Sequence, residues 1–575
     1  MLVDAQYLSN TKKLVVSYVN HEGEIKMKYY DWESPYRYEP CSYEDPHRDK
    51  TYKSWDGKHV KKVSSYPDRY SIYEFLDALP KEEQEEIYAF NEPNIFFIDI
   101  ETEVDPEIGF PEPSEAPTRI QSLSIVYDDK ILILGQEDLD AEQQRIIMEG
   151  NTDSGGDIVG VNKYFEDYDT KYIFKYIKYE DEFDMLYAFF NKMVHKMPCM
   201  TGWNFIDFDW TFLVNRARKL KKEKFGKVLT IDPRVSSHTR RLNNIWGTNY
   251  EVPAHRIIFD YMRLYEALDT SVKVKESSSL DFVSKNLLGV KKIEYSGSLM
   301  DLHDDDYTKF IYYNAVDSVL VQLIHQKMMY INIIYGISSL SKIKIVDVFN
   351  FMNNSLASLA ITEGVLRGRF RDNESVVLFK DKTKVNTGSS GLKGGWVKDP
   401  NVGMNRWVAC YDFASLYPTT QRQFYISPEN YKGMVTKYIK IKSKVGEIQI
   451  LDKTTKEIIQ QGDNIEVLPE EYLIKFNNVE ETLNISANSR SFETDSYEIE
   501  RYCIDEKGSR LLVEENDVVC SNGAVFLKRY SPTLQMLDDV YSDRKKNKNM
   551  MKEKKIELEK VLEEIKELEN ELQLS

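Results

Sequence analysis

Ile95-Phe96-Phe97-Ile98-Asp99-Ile100-Glu101 is the stretch on which the fold turns. It is apolar until its end, where two acids appear. Side chains alternate across a strand, so Asp99 and Glu101 point to the same side. Carboxylates placed side by side at the end of a hydrophobic strand repel each other. A divalent cation removes that penalty, and a set of hard oxygen ligands suits Mg²⁺ or Mn²⁺. A strand end reaching solvent is the plainer explanation of an isolated Asp-x-Glu, because motifs this short often match by chance.

Two downstream segments change the weight of that pair. Gly202-Trp203-Asn204-Phe205-Ile206-Asp207-Phe208-Asp209 places Asp209 behind an apolar, aromatic run. Tyr313-Asn314-Ala315-Val316-Asp317 places Tyr313 and Asp317 four apart, hence on one face of a helix expected from Tyr307 to about Met328. Phe310, Val316, Leu320 and Leu323 would dock that helix. Each segment alone is a weak signal. The ordered set Asp-x-Glu, Asn-x-x-x-Phe-Asp, Tyr-x-x-x-Asp is far more specific.

In that order the segments resemble exonuclease motifs I, II and III of the family B DNA polymerases. Gly109-Phe110-Pro111-Glu112-Pro113-Ser114-Glu115-Ala116 is similar to the T-even-type bacteriophage members, and Ser279-Leu280-Asp281-Phe282 fits the pattern ahead of motif III. The resemblance implies a ribonuclease-H-like 3′→5′ proofreading domain. Asp99, Glu101, Asp209 and Asp317 would hold two metals about 3.5–4 Å apart, one activating water and one stabilising the leaving oxygen. Tyr313 would orient the attacking water, and Asn204 would contact the primer end. A hairpin expected at residues 243–259, turning near Gly247-Thr248-Asn249, would by its position move the primer between sites.

A second site is half present. The segment Trp407-Val408-Ala409-Cys410-Tyr411-Asp412 is expected to be a strand, followed by Phe413-Ala414-Ser415-Leu416-Tyr417-Pro418-Thr419. Asp-x-x-Ser-Leu-Tyr-Pro is similar to polymerase motif A, and Ile426-Ser427-Pro428-Glu429 also resembles the phage enzymes. The resemblance implies that Asp412 binds catalytic metal, that Ser415 and Leu416 approach the triphosphate, and that Tyr417 excludes a ribose 2′-OH. Gly394 and Gly395 stand where the family's Tyr-x-Gly-Gly element contacts DNA, with Leu392 in place of its tyrosine. In a final helix expected from Ser531 to Ser575, with Pro532 in its first turn, Arg544 and Lys548 share one face suited to a triphosphate.

Two polymerase elements are missing from the 575 residues: Lys-x-x-x-Asn-Ser-x-Tyr-Gly and the Asp-Thr-Asp-Ser turn. Glu493-Thr494-Asp495-Ser496 and Asn151-Thr152-Asp153-Ser154 imitate the latter, and both are read as chance matches. Leu558, Val561, Ile565, Leu568 and Leu572 follow a and d positions of a heptad and require a facing helix. The expectation is therefore a split polymerase. A separate C-terminal chain would supply the second fingers helix, the rest of the palm and the thumb, and any sliding clamp would be reached through it. Primer–template DNA and deoxynucleoside triphosphates are the expected ligands. The alternatives are a stand-alone 3′→5′ exonuclease with a vestigial motif A, and a non-catalytic nucleic-acid-binding scaffold. The intact carboxylates weigh against the scaffold.

Composition sets the outer bounds. A net charge of −18 argues against a chain that coats nucleic acid indiscriminately, without excluding a local basic groove. Hydrophobic residues make up 42%, too many for a disordered chain. No apolar run approaches the ~20 residues of a membrane span. The start lacks the pattern of a signal peptide, and five scattered cysteines argue for free thiols, so a cytoplasmic location is expected, the host's cytoplasm for a phage-encoded chain. The fold class expected is multidomain, α/β and α+β. The expected divisions are an N-terminal domain over 1–93 completed by 330–370, an exonuclease domain over 94–329, the palm's N-terminal part over 371–529, and the first fingers helix over 530–575. The N-terminal part should contain a hairpin over residues 14–30 and helices over 72–90 broken at Pro80. Residues 330–367 should be helical and 433–527 antiparallel strands.

Overall fold

The computed structural model describes residues 1–345, 348, 375–376, 398–399, 402–404, 406–413 and 415–574, with internal gaps at 55–57, 68, 106, 108, 152–156, 234–238, 244–248, 270–275 and 506–507. Two compact units divide the chain, Met1–Phe379 and Lys380–Ser575.

The first unit begins with a three-stranded antiparallel sheet of β1 (Leu2–Leu8), β2 (Lys13–Val19) and β3 (Ile25–Asp31), the last two forming the expected hairpin. A small second sheet joins β4 (Tyr36–Pro40), β5 (Arg48–Ser54) and β6 (His59–Ser64) to β17 (Ser375–Val376). Helices α1 (Arg69–Asp77) and α2 (Lys81–Tyr88) follow, interrupted at Pro80 as its missing N–H requires.

The central sheet carries the chemistry. Its order is β10 (Ile173–Lys178), β9 (Lys130–Gly135), β8 (Ile120–Tyr127), β7 (Ile95–Thr102), β11 (Cys199–Thr201), β16 (Ile257–Ile258). The meander β7–β8–β9 is antiparallel, and β10, β11 and β16 are added parallel. The middle strands are covered on both faces, so β8 is buried along nearly its whole length, its polar Gln121, Ser122 and Ser124 included, and β7 is apolar up to Asp99. On one face lies α10 (Tyr307–Met328), whose residues from Phe310 to His325 are all buried. This helix spans the residues expected from sequence. Around it pack α3 (Ala141–Glu149), α4 (Val161–Tyr164), α8 (Leu280–Leu288) and α9 (Leu299–Asp305). The opposite core gathers Ile98, Ile100, Leu123, Phe189, Phe205 and Trp210, with α5 (Glu182–Ala188) and α6 (Thr211–Lys219). Arg216 on α6 forms a buried ion pair with Glu182 on α5 (2.8 Å), and Glu182 also accepts the Ile120 N–H.

Two hairpins project from this unit: β12 (Lys221–Lys224) with β13 (Lys227–Thr230), and β14 (Thr239–Asn243) with β15 (Asn249–Pro253). The second lies N-terminal of the expected 243–259. Its returning strand stops at Pro253, which has no N–H to donate. Past His255, at φ 61°, the chain enters the central sheet as β16 instead. The expected turn around Gly247 lies outside the described residues. Helix α7 (Tyr261–Leu268) follows. The helix expected over 330–367 begins as α11 (Tyr330–Ser341) and breaks at Lys342, left-handed at φ 51°; Ile345 and Val348 are helical again, and residues 346–347 and 349–367 lie outside the described residues.

The second unit contains the expected antiparallel strands. The 13-residue strand Tyr431–Ser443 pairs with Tyr497–Ile504 on one side and Ala524–Phe526 on the other. A four-stranded sheet from Ile448 to Asn484 closes over Ile439, Ile441, Ile450, Ile474 and Ile499. Helices α12 (Leu416–Gln423) and α13 (Pro532–Leu574) pack together, with Arg422 paired to Asp538 and its guanidinium over the Tyr541 ring. Among the described residues no helix is long and apolar enough to cross a membrane, and all five cysteines are free.

Candidate active site

Strand β7 delivers Asp99 and Glu101 to one side, as the period-two pattern requires. Across the antiparallel register they stand opposite Ser124 and Ser122. The α10 face above brings down Asp317. Oxygens of Asp99, Glu101 and Asp317 all lie within 4.8 Å of one another. This is the only such group of His, Cys, Asp or Glu among the described residues.

Asp209 reaches the cluster from another direction. After β11 the chain turns at Gly202 and Asn204, then winds through a wide helical turn, Ile206–Trp210, into α6. Gly202 is required here, because a Cβ would stand 2.3 Å from the Ile98 carbonyl oxygen of β7. Asn204 takes the left-handed conformation, φ 59°. The turn presents Asp209 Oδ1 to the Ile100 N–H at 3.0 Å, between the two acids of β7. Buried Asp260, the N-cap of α7, accepts the Ile206 N–H at 3.0 Å, and Arg263 pairs with Asp207, so both flanks of the turn are fixed.

Four carboxylates thus crowd a largely dry site. Glu101, Asp209 and Asp317 are buried, and Asp99 keeps partial access to solvent. Burial and then the neighbouring Asp317 lift the Asp99 carboxyl to about 7. Burial, then Asp99 and Asp317, push Glu101 well above its usual range. Burial and Asp99 do the same for Asp209, against the Ile100 N–H. Burial raises Asp317, opposed by Lys292 and the Tyr313 hydroxyl.

Lys292 escapes the motif-based reading. Its ammonium pairs with Asp317 and lies 4.8 Å from the centre of the Tyr313 ring. Burial disfavours its charge, but Asp317 and Tyr313 outweigh burial and hold it above the ordinary lysine value. Its backbone N–H donates to Asp281 Oδ1 at 3.0 Å, and Ser279 caps α8. Ser279-Leu280-Asp281-Phe282 therefore positions Lys292, which is the signal that could have pointed to it. Asn314 is the other residue missed. It donates to Asp99 Oδ2 at 2.7 Å and accepts from Ser122 Oγ at 3.1 Å, fixing the first carboxylate.

The donor set fits a hard divalent cation. It is all oxygen, among the described residues it faces a single cation in Lys292, and Asp317 Oδ1 is buried without a hydrogen-bond partner. A divalent cation would find ligands in Asp99, Glu101 and Asp317, with Asp209 alongside. Tyr313 is pushed above its ordinary value by burial, then Asp317 and Glu101, so it stays a phenol and a hydrogen-bond donor at neutral pH.

The second expected site is dispersed. Trp407–Asp412 forms no strand. Trp407 is 100% exposed and Tyr411 93% exposed. No described strand runs beside the segment, and a strand is only as stable as its neighbours' hydrogen bonds make it. Asp412 is exposed, and Tyr417 is 76% exposed. Arg544 on α13 donates to Ser415 Oγ at 3.0 Å, at the start of α12 where Leu416 follows. Lys548 lies exposed one turn further along. Leu392, Gly394, Gly395 and most of Asn151–Ser154 lie outside the described residues. Glu493 ends a short strand, and Thr494–Ser496 turns the chain with the Thr494 hydroxyl donating to the Tyr497 carbonyl.

Residues 63–283 match the family described as DNA polymerase family B, exonuclease domain, a span that contains Asp99, Glu101 and Asp209. The chain is 26% identical over 355 residues to the DNA-directed DNA polymerase of Escherichia phage RB69, covering 60% of this chain and 36% of that protein. It is 28% identical over 261 residues to that of Enterobacteria phage T4, covering 45% and 27%. It is 27% identical over 259 residues to the DNA polymerase catalytic subunit of Human herpesvirus 7 (strain JI), covering 42% and 24%. The matched stretches span about a third of the phage proteins' length or less.

Proposed function

We infer that this chain, which carries the exonuclease domain of DNA polymerase family B, removes nucleotides from the 3′ end of DNA by hydrolysis at the Asp99–Glu101–Asp209–Asp317 cluster. The observation that carries this reading is the convergence of Asp99, Glu101 and Asp317 within 4.8 Å in a site where Lys292 is the one compensating cation among the described residues. The mixed six-stranded sheet with α10 across it supports a ribonuclease-H-like architecture.

Magnesium or manganese ions, two in this reading, would supply an activated water and stabilise the leaving oxygen. The chain's own groups do the rest. Tyr313, held neutral, donates a hydrogen bond that orients the attacking water. Lys292 offsets one negative charge and keeps Asp317 in place. Asn314 and Ser122 set the rotamer of Asp99. The Ile100 N–H and the flanks of the Asp209 turn fix the fourth acid from the far side. Phe110, 75% exposed, stacks on Phe208 beside Asp209 at 5.0 Å and offers a flat apolar surface to a terminal base.

A second reading adds to the first: half of a polymerase site over motif A and α13, completed by palm, second fingers helix and thumb on a separate C-terminal chain. The Arg544–Ser415 hydrogen bond supports it, as do Leu558, Val561 and Ile565, each between 44% and 57% exposed on α13. Asp412 would hold metal and Tyr417 would gate the sugar in the completed enzyme. The four-part domain division belongs to the same proposal.

A 5′-labelled primer–template with Mg²⁺ and nucleotides, with and without a candidate C-terminal chain, tests both. Extension only with the partner supports the split polymerase. Shortening without extension leaves a stand-alone exonuclease. No reaction at all, with Asp99→Ala indistinguishable from wild type, leaves a binding scaffold.

A further inference from the structure

The β12–β13 hairpin breaks two local rules at its tip. Its two-residue turn is Phe225-Gly226, with φ 53° and 71°. Such a turn asks for Asn, Asp or Gly at its first position, and an aromatic residue with positive φ is strained. The Phe225 ring gains no packing in return, being 93% exposed. Directly beside it Lys224 and Lys227 face each other across the strands, a like-charge pair that destabilises a hairpin. Lys221, Lys224 and Lys227 make no ion pair among the described residues, whereas Lys222 is anchored to Asp181 and Asp184 at 2.8 and 2.6 Å. Leu229 packs on the core, so the base of the hairpin is held while its tip is free. The hairpin continues directly from α6, the nine-residue helix of about 14 Å that begins two residues after Asp209.

We propose that this hairpin is a contact for single-stranded DNA, with Phe225 stacking on an unpaired base and Lys224 and Lys227 meeting the flanking phosphates. The strained turn exposes an aromatic face, and the opposed lysines are relieved by a polyanion. These are the two components of sequence-tolerant single-strand binding. A duplex offers phosphates but no free base face, so the exposed ring selects the single strand. The inference deepens the nucleic-acid reading above and rests on it.

The test is binding of a fluorescent oligothymidylate by the full chain in EDTA, where no metal-dependent hydrolysis interferes. Phe225→Ala should weaken single-strand binding about tenfold and leave duplex binding unchanged. Lys224→Gln with Lys227→Gln should flatten the slope of log affinity against log salt by about 1.4, at about 0.7 per phosphate. The double Lys→Arg variant should restore the slope, and no variant should lower the melting temperature. Unchanged single-strand affinity in Phe225→Ala, or an equal loss on duplex, overturns the proposal. Failure of the exonuclease reading would show separately, as absence of Mg²⁺-dependent shortening with binding intact.

Discussion

At the scale of single residues the site is an electrostatic problem left partly unsolved by the protein. Four acids share one lysine. Because the folded value for Asp99, about 7, lies above its ordinary value, the cost of ionising it is absent below pH about 4 and fully present once pH exceeds the folded value. Metal-free protein should therefore lose stability as pH rises from about 4 to about 7. The rise in melting temperature on adding Mg²⁺ should be larger at pH 8 than at pH 5.5; equal rises at both would contradict the charge argument. Lys292→Met removes the one compensating charge. At pH 8 it should lower the melting temperature by about 5 °C in EDTA and much less in Mg²⁺. A loss of the same size in both would make Lys292 an ordinary packing residue. The sequence displayed the four acids because strand and helix periodicity put them on defined faces. It hid Lys292, which sits in a segment with no regular period and owes its place to Asp281 and Asp317.

At the scale of elements, what was legible depended on whether a segment carries its own partners. The 307–328 helix and the 95–102 strand were readable because their apolar patterns are long and their neighbours belong to the same unit. The 407–412 segment has strand composition but no adjacent strand among the described residues, and composition cannot supply hydrogen bonds. The hairpin expected at 243–259 lies at 239–253, because Ile257 and Ile258 pair with β11 and complete the central sheet. The β7–β11 junction makes an element-scale prediction. Gly202→Ala would place a methyl 2.3 Å from the Ile98 carbonyl oxygen, forcing apart the strands that carry Asp99 and the Asp209 turn. Hydrolysis should fall at least tenfold together with a lower melting temperature. A variant with wild-type stability and activity would show that the junction is not constrained.

At the scale of the whole chain there are two compact units: the acid cluster lies wholly in residues 1–379, and the Arg544–Ser415 contact wholly in 380–575. Asp412→Ala should accordingly leave hydrolysis intact, measured on the same labelled DNA as wild type. A large loss would contradict the assignment of hydrolysis to the acid cluster of the first unit. The net charge of −18 conceals this division, since the acids that matter are buried in the first unit and the exposed basic run of α13 lies in the second. The most direct measurement is a time course on a 5′-labelled oligonucleotide with Mg²⁺, comparing wild type with Asp99→Ala and with EDTA. The account predicts a ladder shortening one nucleotide at a time in wild type, and less than about a tenth of that rate in the variant or without metal. An Asp99→Ala protein that shortens DNA at the wild-type rate would contradict it.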